Sequence, residues 1–152
     1  MSQSTIDLLQ YTGLVTEDPL TEARELAFLL VRAAERAKDD FAHAISGFDV
    51  SVPVARALLT LDSPAPMRVL ADQLSCDQSY VTSLADDLEA RGLATREAGQ
   101  DRRVKVLTLT PKGVAMRVQL SDAVARSSAV MTQLSSAQRD GLRRLLSALA
   151  SD

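Results

Sequence analysis

The sequence has little of what most enzymes and disulfide-bonded proteins depend on. Its 152 residues include one cysteine, Cys76, and one histidine, His43. A single cysteine cannot form an intramolecular disulfide, and a single histidine with no second ligand nearby gives no pattern typical of a metal site. No nucleophile paired with a base and no glycine-rich phosphate loop is visible. We therefore expect neither catalytic activity nor a cofactor.

Long apolar runs are absent as well. No stretch of about 18 apolar residues occurs, so no membrane-spanning helix is expected. The N-terminus lacks a basic region followed by an apolar one, which is the pattern of a signal peptide. Together with the lone cysteine, these absences predict a protein of the reducing cytoplasm.

Aromatic residues are scarce too, at 3%, whereas apolar residues make up 46% of the chain. Alanine and leucine are abundant among them, which favours helices packed on helices over a β-sandwich. A length of 152 residues suits one domain, or one domain with helical extensions.

Positive charge is concentrated in one stretch, although the net charge of the chain is −3. Residues 91–112 contain two acids, Glu97 and Asp101, and six bases: Arg91, Arg96, Arg102, Arg103, Lys105 and Lys112. Such a patch can bind phosphate groups even on an acidic chain, because the field near it depends on the local charge. An ordinary solvated loop is the alternative interpretation.

Helical periodicity covers the first part of the chain. Residues 1–20 are interpreted as an arm, interrupted by Gly13 and Pro19, and Thr21 is the predicted N-cap of the first long helix. Apolar residues at helical spacing then predict four helices: 21–46, 51–61, 67–75 and 77–91. The segment 62–66 is predicted to be a loop because it contains two prolines.

The pattern changes after Gly92. A period near two predicts strands at 93–97 and 103–109, joined by a turn into a hairpin. A helix is then predicted from Pro111 to about Gln133, and a capping box at 135–138 opens the last helix. A helix, a tight turn, a helix and a two-stranded hairpin follow one another in the order of a winged helix-turn-helix, whose second helix enters the DNA major groove.

The helix predicted at 77–91 has two distinct faces. At about 100° per residue, the apolar face carries Val81, Leu84, Ala85 and Leu88. The opposite face carries Ser79, Thr82 and Ser83, with Gln78 at the N-terminal end. Small hydroxyls allow close approach to DNA and glutamine can pair with adenine, although any amphipathic helix has a solvated face.

Three acids on the same helix count against DNA binding, because they would repel phosphates. These acids are Asp86, Asp87 and Glu89. We expect them at the far end of the helix, pointing out of the groove.

The segment that follows resembles a known family. Residues 101–113, read as DRRVKVLTLTPKG, match the wing signature of the MarR family, D-x-R-x-x-x-L-x-L-T-x-x-G, at every fixed position. Residues 81–93 are similar to the recognition-helix pattern of that family. The resemblance extends roughly from Thr21 to Leu149.

The resemblance implies a DNA-contacting role for particular residues. Arg103 matches the wing-tip arginine that enters the minor groove, and Asp101 matches the acid that orients it. Arg102 and Lys105 would meet phosphates, and Arg68 is a candidate backbone contact. Four residues of the recognition helix would face the major groove: Gln78, Ser79, Thr82 and Ser83. Many relatives carry bases along this helix, so here affinity is expected to rest more on the wing.

The resemblance also implies a mainly α fold with a small β-hairpin wing, in a cytoplasmic homodimer that represses transcription. The expected organisation is an arm at 1–20 and one domain at 21–152, with the winged helix-turn-helix at about 50–110 and dimerisation helices at 21–46 and 111–150. The apolar stripe Leu142, Leu145, Leu146 and Leu149 suits a second chain, although both C-terminal helices could instead pack on their own chain.

Two partners are implied with this organisation. They are double-stranded DNA with a pseudo-palindromic site and a small anionic or phenolic effector that releases the DNA. A winged-helix interaction module that has lost DNA binding is the alternative function. For Cys76, in the predicted turn, a packed spacer and an oxidisable thiol are the alternatives.

Overall fold

The computed structural model describes residues 18–99 and 104–150. The chain divides into two compact units, Met1–Arg36 and Ala37–Asp152. The predicted arm falls almost wholly outside the described residues.

Helix α1 spans Pro19–Ile45. The prediction that Pro19 interrupts the chain before a helix starting at Thr21 is wrong. Proline suits the first turn of a helix, where its missing N–H has no intrahelical partner, and the Thr21 N–H donates to the Asp18 carbonyl at 2.7 Å. Every residue from 18 to 36 is exposed, including three leucines at helical spacing: Leu26, Leu29 and Leu30.

The second unit contains the end of α1 and all the other elements. They are, in order, α2 (Val52–Thr60), β1 (Ala65–Pro66), α3 (Met67–Leu74), α4 (Gln78–Ala90), β2 (Ala94–Ala98), β3 (Lys105–Leu109), α5 (Pro111–Ser127), α6 (Ala129–Gln133) and α7 (Ser136–Ala150). The predicted fold class, mainly helical with a small β wing, is confirmed.

The core of this unit is aliphatic. Six leucines from α2, α3, α4, α5 and the sheet region are fully buried: Leu58, Leu70, Leu88, Leu93, Leu107 and Leu120. The burial of several leucines from neighbouring elements stabilises the fold by roughly 1.5–3 kcal/mol per side chain. It also fixes α3 and α4 against the sheet.

The sheet has three antiparallel strands in the order β1-β3-β2. The prediction of a plain loop at 62–66 is therefore wrong at its end, where Ala65 pairs with Leu107 and Pro66 with Val106. The strand is short and lies at an edge, where a proline without an N–H is tolerated. Its partner strand is distant in sequence, so local periodicity gave no sign of it.

The helix predicted from Pro111 to Gln133 is broken. Helix α5 ends at Ser127, and Ser128 adopts an extended conformation with φ −69° and ψ 119°. The N–H of Ala129, which begins α6, donates to Asp40 Oδ2 at 2.7 Å. A carboxylate from α1 thus satisfies a backbone donor freed by the break.

The last helix begins as predicted. The Ser135 N–H donates to Gln138 Oε1 at 2.8 Å, and the Gln138 N–H donates to Ser135 Oγ at 3.4 Å, which completes the capping box. Most of α7 is exposed, with Leu145 at 67% and Leu149 at 69% of their full accessible area. None of the described helices combines the length and apolarity needed to cross a bilayer.

Candidate nucleic-acid interface

Helix α4 presents the predicted polar face to solvent. Val81, Leu84, Ala85 and Leu88 are buried. Gln78, Ser79, Thr82 and Ser83 are all exposed, so the helix brings the four predicted base-reading residues onto one open surface. Thr82 Oγ1 donates to the Gln78 carbonyl at 3.0 Å and Ser83 Oγ to the Ser79 carbonyl at 3.4 Å. The hydroxyl oxygens keep lone pairs that can accept hydrogen bonds from outside.

A tight turn sets α4 against α3. Ser75 has a left-handed φ of 53° and ends α3, and the Cys76 N–H donates to the Ala71 carbonyl at 3.0 Å. Cys76 is half-buried and packs against the core, as a spacer would. Asp77 occupies the N-cap position of α4, but its side chain makes no capping hydrogen bond.

The three acids of α4 have arginine partners that sequence reasoning missed. Asp87 Oδ1 accepts from Arg91 Nε at 2.7 Å. Arg96 Nη1 lies 2.7 Å from Asp86 Oδ1 and also contacts Glu89 Oε2. These carboxylates are therefore counterions of arginines within the chain.

Arg96 binds one flank of α4 from strand β2. Its Nη1 contacts the two carboxylates described above. In addition, its Nη2 donates to the Thr82 carbonyl at 2.8 Å, and its backbone N–H donates to Glu89 Oε1 at 2.8 Å. Its side chain is only 17% exposed. One feature of the sequence could have indicated this pairing: a basic residue in the first wing strand follows a helix that has acids at its C-terminal end.

Arg91, at the C-terminal end of α4, is held in a similar way. Its Nη1 donates to the Asp49 carbonyl at 2.7 Å. The hydrogen bond to Asp87, assisted by the attraction of that charge, raises the pKa of Arg91. Lys112 Nζ donates to the Arg91 carbonyl at 2.8 Å and caps the helix.

The basic stretch is therefore not a uniform patch. The side chains of Arg91, Arg96 and Lys112 bind groups of the protein itself. The exposed side chain of Lys105 makes no hydrogen bond or ion pair with the described part of the chain. Arg68 is exposed in the first turn of α3. Three predicted DNA contacts, Asp101, Arg102 and Arg103, lie outside the described residues.

The base of the wing is tightly packed. Thr110 caps α5, because its Oγ1 accepts from the Gly113 N–H at 3.1 Å and donates to the Gly92 carbonyl at 2.7 Å. A Cβ at Gly113 would lie 1.9 Å from the Leu93 carbonyl oxygen, so only glycine fits there. In residues 18–99 and 104–150, no three or more His, Cys, Asp or Glu side chains are grouped to hold a metal ion.

A helix-turn-helix with an open polar face and a three-stranded wing places the chain among winged helix-turn-helix proteins. No family model matches the chain, and no curated protein sequence does. Among solved structures, the transcriptional repressor CouR bound to a 23-mer DNA duplex is 30% identical, with a TM-score of 0.73 over 90% of this chain and 100% of that one.

Two further structures share the fold at lower identity. A transcriptional regulator of the MarR family from Rhodococcus sp. RHA1 is 21% identical, with a TM-score of 0.71 over 84% of this chain and 95% of that one. CouR from Rhodococcus jostii RHA1 bound to p-coumaroyl-CoA is 20% identical, with a TM-score of 0.71 over 91% of this chain and 95% of that one. The chain belongs to the MarR family of transcription regulators.

Proposed function

We propose that the chain is a homodimeric repressor that binds double-stranded DNA at a pseudo-palindromic site and is released by a small ligand. The observation that carries this proposal is the open face of α4, where Gln78, Ser79, Thr82 and Ser83 stand clear of a fully packed helix-turn-helix. Membership of the MarR family and the likeness to a repressor bound to duplex DNA support it.

The proposed contacts divide into two kinds. The four residues on α4 read base edges in the major groove, where hydroxyls and a carboxamide can donate and accept. Arg68, Arg102 and Lys105 bind phosphates, and Arg103, oriented by Asp101, enters the adjacent minor groove. Because α4 carries no lysine or arginine, most of the salt-dependent affinity comes from the wing and from α3.

The dimer follows from the exposed apolar surface. Leu26, Leu29 and Leu30 on α1 and the leucines of α7 are exposed in the single chain. A second copy that covers them gives two recognition helices related by a two-fold axis. We assign dimerisation to 21–46 and 111–150 and DNA binding to about 50–110, within one domain over 21–152. Two half-sites about one helical turn of DNA apart are then selected.

The effector acts by shifting a population. A small anionic or phenolic ligand binds preferentially to the conformation of the dimer in which the spacing of the two recognition helices does not match the operator. It thereby lowers DNA affinity without contacting DNA. A regulator of this kind performs no catalysis and works where the chromosome lies, in the cytoplasm.

The direct test is selection of bound genomic fragments from an unbiased library with the full chain. We expect one recurrent pseudo-palindrome, bound with an affinity that falls steeply as salt is raised. A chain that binds no duplex at any salt concentration would instead be a protein-interaction module, the function that the acidic chain and the base-free α4 favour.

Arg103→Ala tests the wing. We expect operator affinity to fall by roughly tenfold or more, as for the loss of a contact worth about 1–3 kcal/mol, with an unchanged circular dichroism spectrum. Electrophoretic mobility shifts at several salt concentrations measure it, with the exposed Arg126→Ala on α5 as the matched control. Equal loss in both variants, or none in either, would count against the assignment.

A further inference from the structure

We propose that Arg96 is a positioning residue for DNA recognition, which couples the wing to the recognition helix through Asp86, Glu89 and the Thr82 carbonyl. This inference rests on the proposed function and deepens it. It assigns a role in DNA recognition to Asp86 and Glu89, two of the three acids of α4 whose charge by itself opposes phosphate binding.

The first step is the geometry of the contacts. The partners of the Arg96 guanidinium lie at positions 82, 86 and 89, which follow one flank of α4 over two turns. The backbone N–H of Arg96 binds Glu89 as well, at 2.8 Å. A planar guanidinium with hydrogen bonds to several groups fixes both the position of strand β2 along the axis of α4 and its orientation relative to that helix.

The second step is the link to base reading. Arg96 binds the carbonyl of Thr82, whose side chain lies on the open face of α4. The same arginine lies in the strand that leads to the wing tip. The two surfaces that would contact DNA in adjacent grooves are therefore connected by one side chain, so their spacing depends on it.

The third step is that Arg96 is not available as a phosphate contact. Its side chain is 17% exposed, and its charge faces two carboxylates. Arg96 is the less exposed partner of both acids, and Glu89, at 33% exposed against 65% for Asp86, is the better shielded of its two counterions. Removing the negative charge of Glu89 should then loosen the wing although it makes the surface more positive.

The test compares Glu89→Gln with Asp72→Asn in the full chain. Both remove one negative charge from the helix-turn-helix, but Asp72 is exposed on α3 and forms no ion pair with the described residues. We expect Glu89→Gln to bind the selected operator roughly tenfold more weakly, the scale of one lost base contact. Asp72→Asn should bind equally or more tightly, and neither variant should lose affinity for a scrambled duplex of the same length.

Arg96→Ala adds a readout that a loss of stability would not change. If Arg96 positions the wing, operator affinity falls while the slope of log affinity against log salt stays as in the unchanged chain. If it bound a phosphate, the slope would fall by about 1. Assays run well below the measured Tm of each variant, and Asp86→Asn serves where Arg96→Ala folds poorly.

The outcomes separate the two proposals. An unchanged chain that binds no duplex removes the proposed function and this inference with it. If the unchanged chain binds its operator and Glu89→Gln binds equally or more tightly, only the positioning role of Arg96 is overturned. Weaker operator binding by Glu89→Gln and Arg96→Ala at an unchanged salt slope supports it.

Discussion

The last two fixed positions of the wing signature, Thr110 and Gly113, lie at the base of the wing, and the packing there explains why these residue types are needed. Thr110 joins the start of α5 to Gly92, two residues beyond the end of α4, because its hydroxyl accepts from the Gly113 N–H and donates to the Gly92 carbonyl. Gly113 lets the first turn of α5 approach the Leu93 carbonyl more closely than any side chain would allow. A threonine and a glycine three positions later are therefore needed for packing, whatever the operator sequence is.

Gly113→Ala should consequently destabilise the fold. Its Cβ would meet backbone at 1.9 Å, which forces α5 or the wing to shift. We expect the free energy of unfolding to fall by about 1–3 kcal/mol or more, the usual cost of overpacking. Urea titration at fixed protomer concentration measures it.

The control for this prediction is Gly47→Ala. A Cβ there meets nothing within 4 Å, and no left-handed φ is involved. We expect a change within about 0.5 kcal/mol. If Gly113→Ala proved as mild as Gly47→Ala, the close approach of α5 to Leu93 would be wrong.

The burial of individual residues could be predicted from the sequence where it depends on the geometry of a single helix. The buried and exposed faces of α4 follow from helical spacing alone, so Val81 and Thr82 were assigned correctly. The pairing of Arg96 with Asp86 and Glu89 was not predicted, because it depends on how a strand crosses a helix. Periodicity contains no such information, so from the sequence the acids of α4 are expected only to repel phosphates.

At the scale of elements, local sequence patterns predicted the helices and the hairpin. They did not predict the strand pairing and the helix break that depend on contacts with distant segments. Strand β1 forms only because β3 lies beside it, and a two-residue strand that ends in proline has no periodicity. The break at Ser128 likewise has its partner in α1, where Asp40 accepts from Ala129. By sequence alone, α5 and α6 read as one amphipathic helix.

The Asp40 contact makes the break testable. Asp40→Ala removes the acceptor of the Ala129 N–H, and we expect a loss of about 1–2 kcal/mol, as for a helix cap. Asp40→Asn keeps a side-chain oxygen and should lose less, because only the charge assistance is removed. Thermal unfolding of both variants at one protomer concentration measures the difference. Equal losses would mean that the charge of Asp40 matters and the hydrogen bond to Ala129 does not.

At the scale of the whole molecule, the single chain leaves much of its apolar surface open. Leu145 and Leu149 on α7 are more than two-thirds accessible, and the leucines on the first part of α1 are exposed as well. A stable monomer rarely exposes contiguous apolar stripes of this kind, because their burial is the main favourable term in association. The open stripes are the physical basis for the proposed homodimer.

The double substitution Leu145→Ser and Leu149→Ser tests that dimer. On a free surface the change is expected to cost within about 0.5 kcal/mol per site, whereas in an interface it removes apolar contacts from both protomers. We therefore expect sedimentation velocity to show the unchanged chain as a dimer and the double variant shifted to monomer, with operator binding lost in parallel. Arg144→Ser, on the other side of α7, should remain dimeric. A double variant that still sediments as a dimer would place the interface elsewhere, and the two recognition helices would then need another way to reach both half-sites.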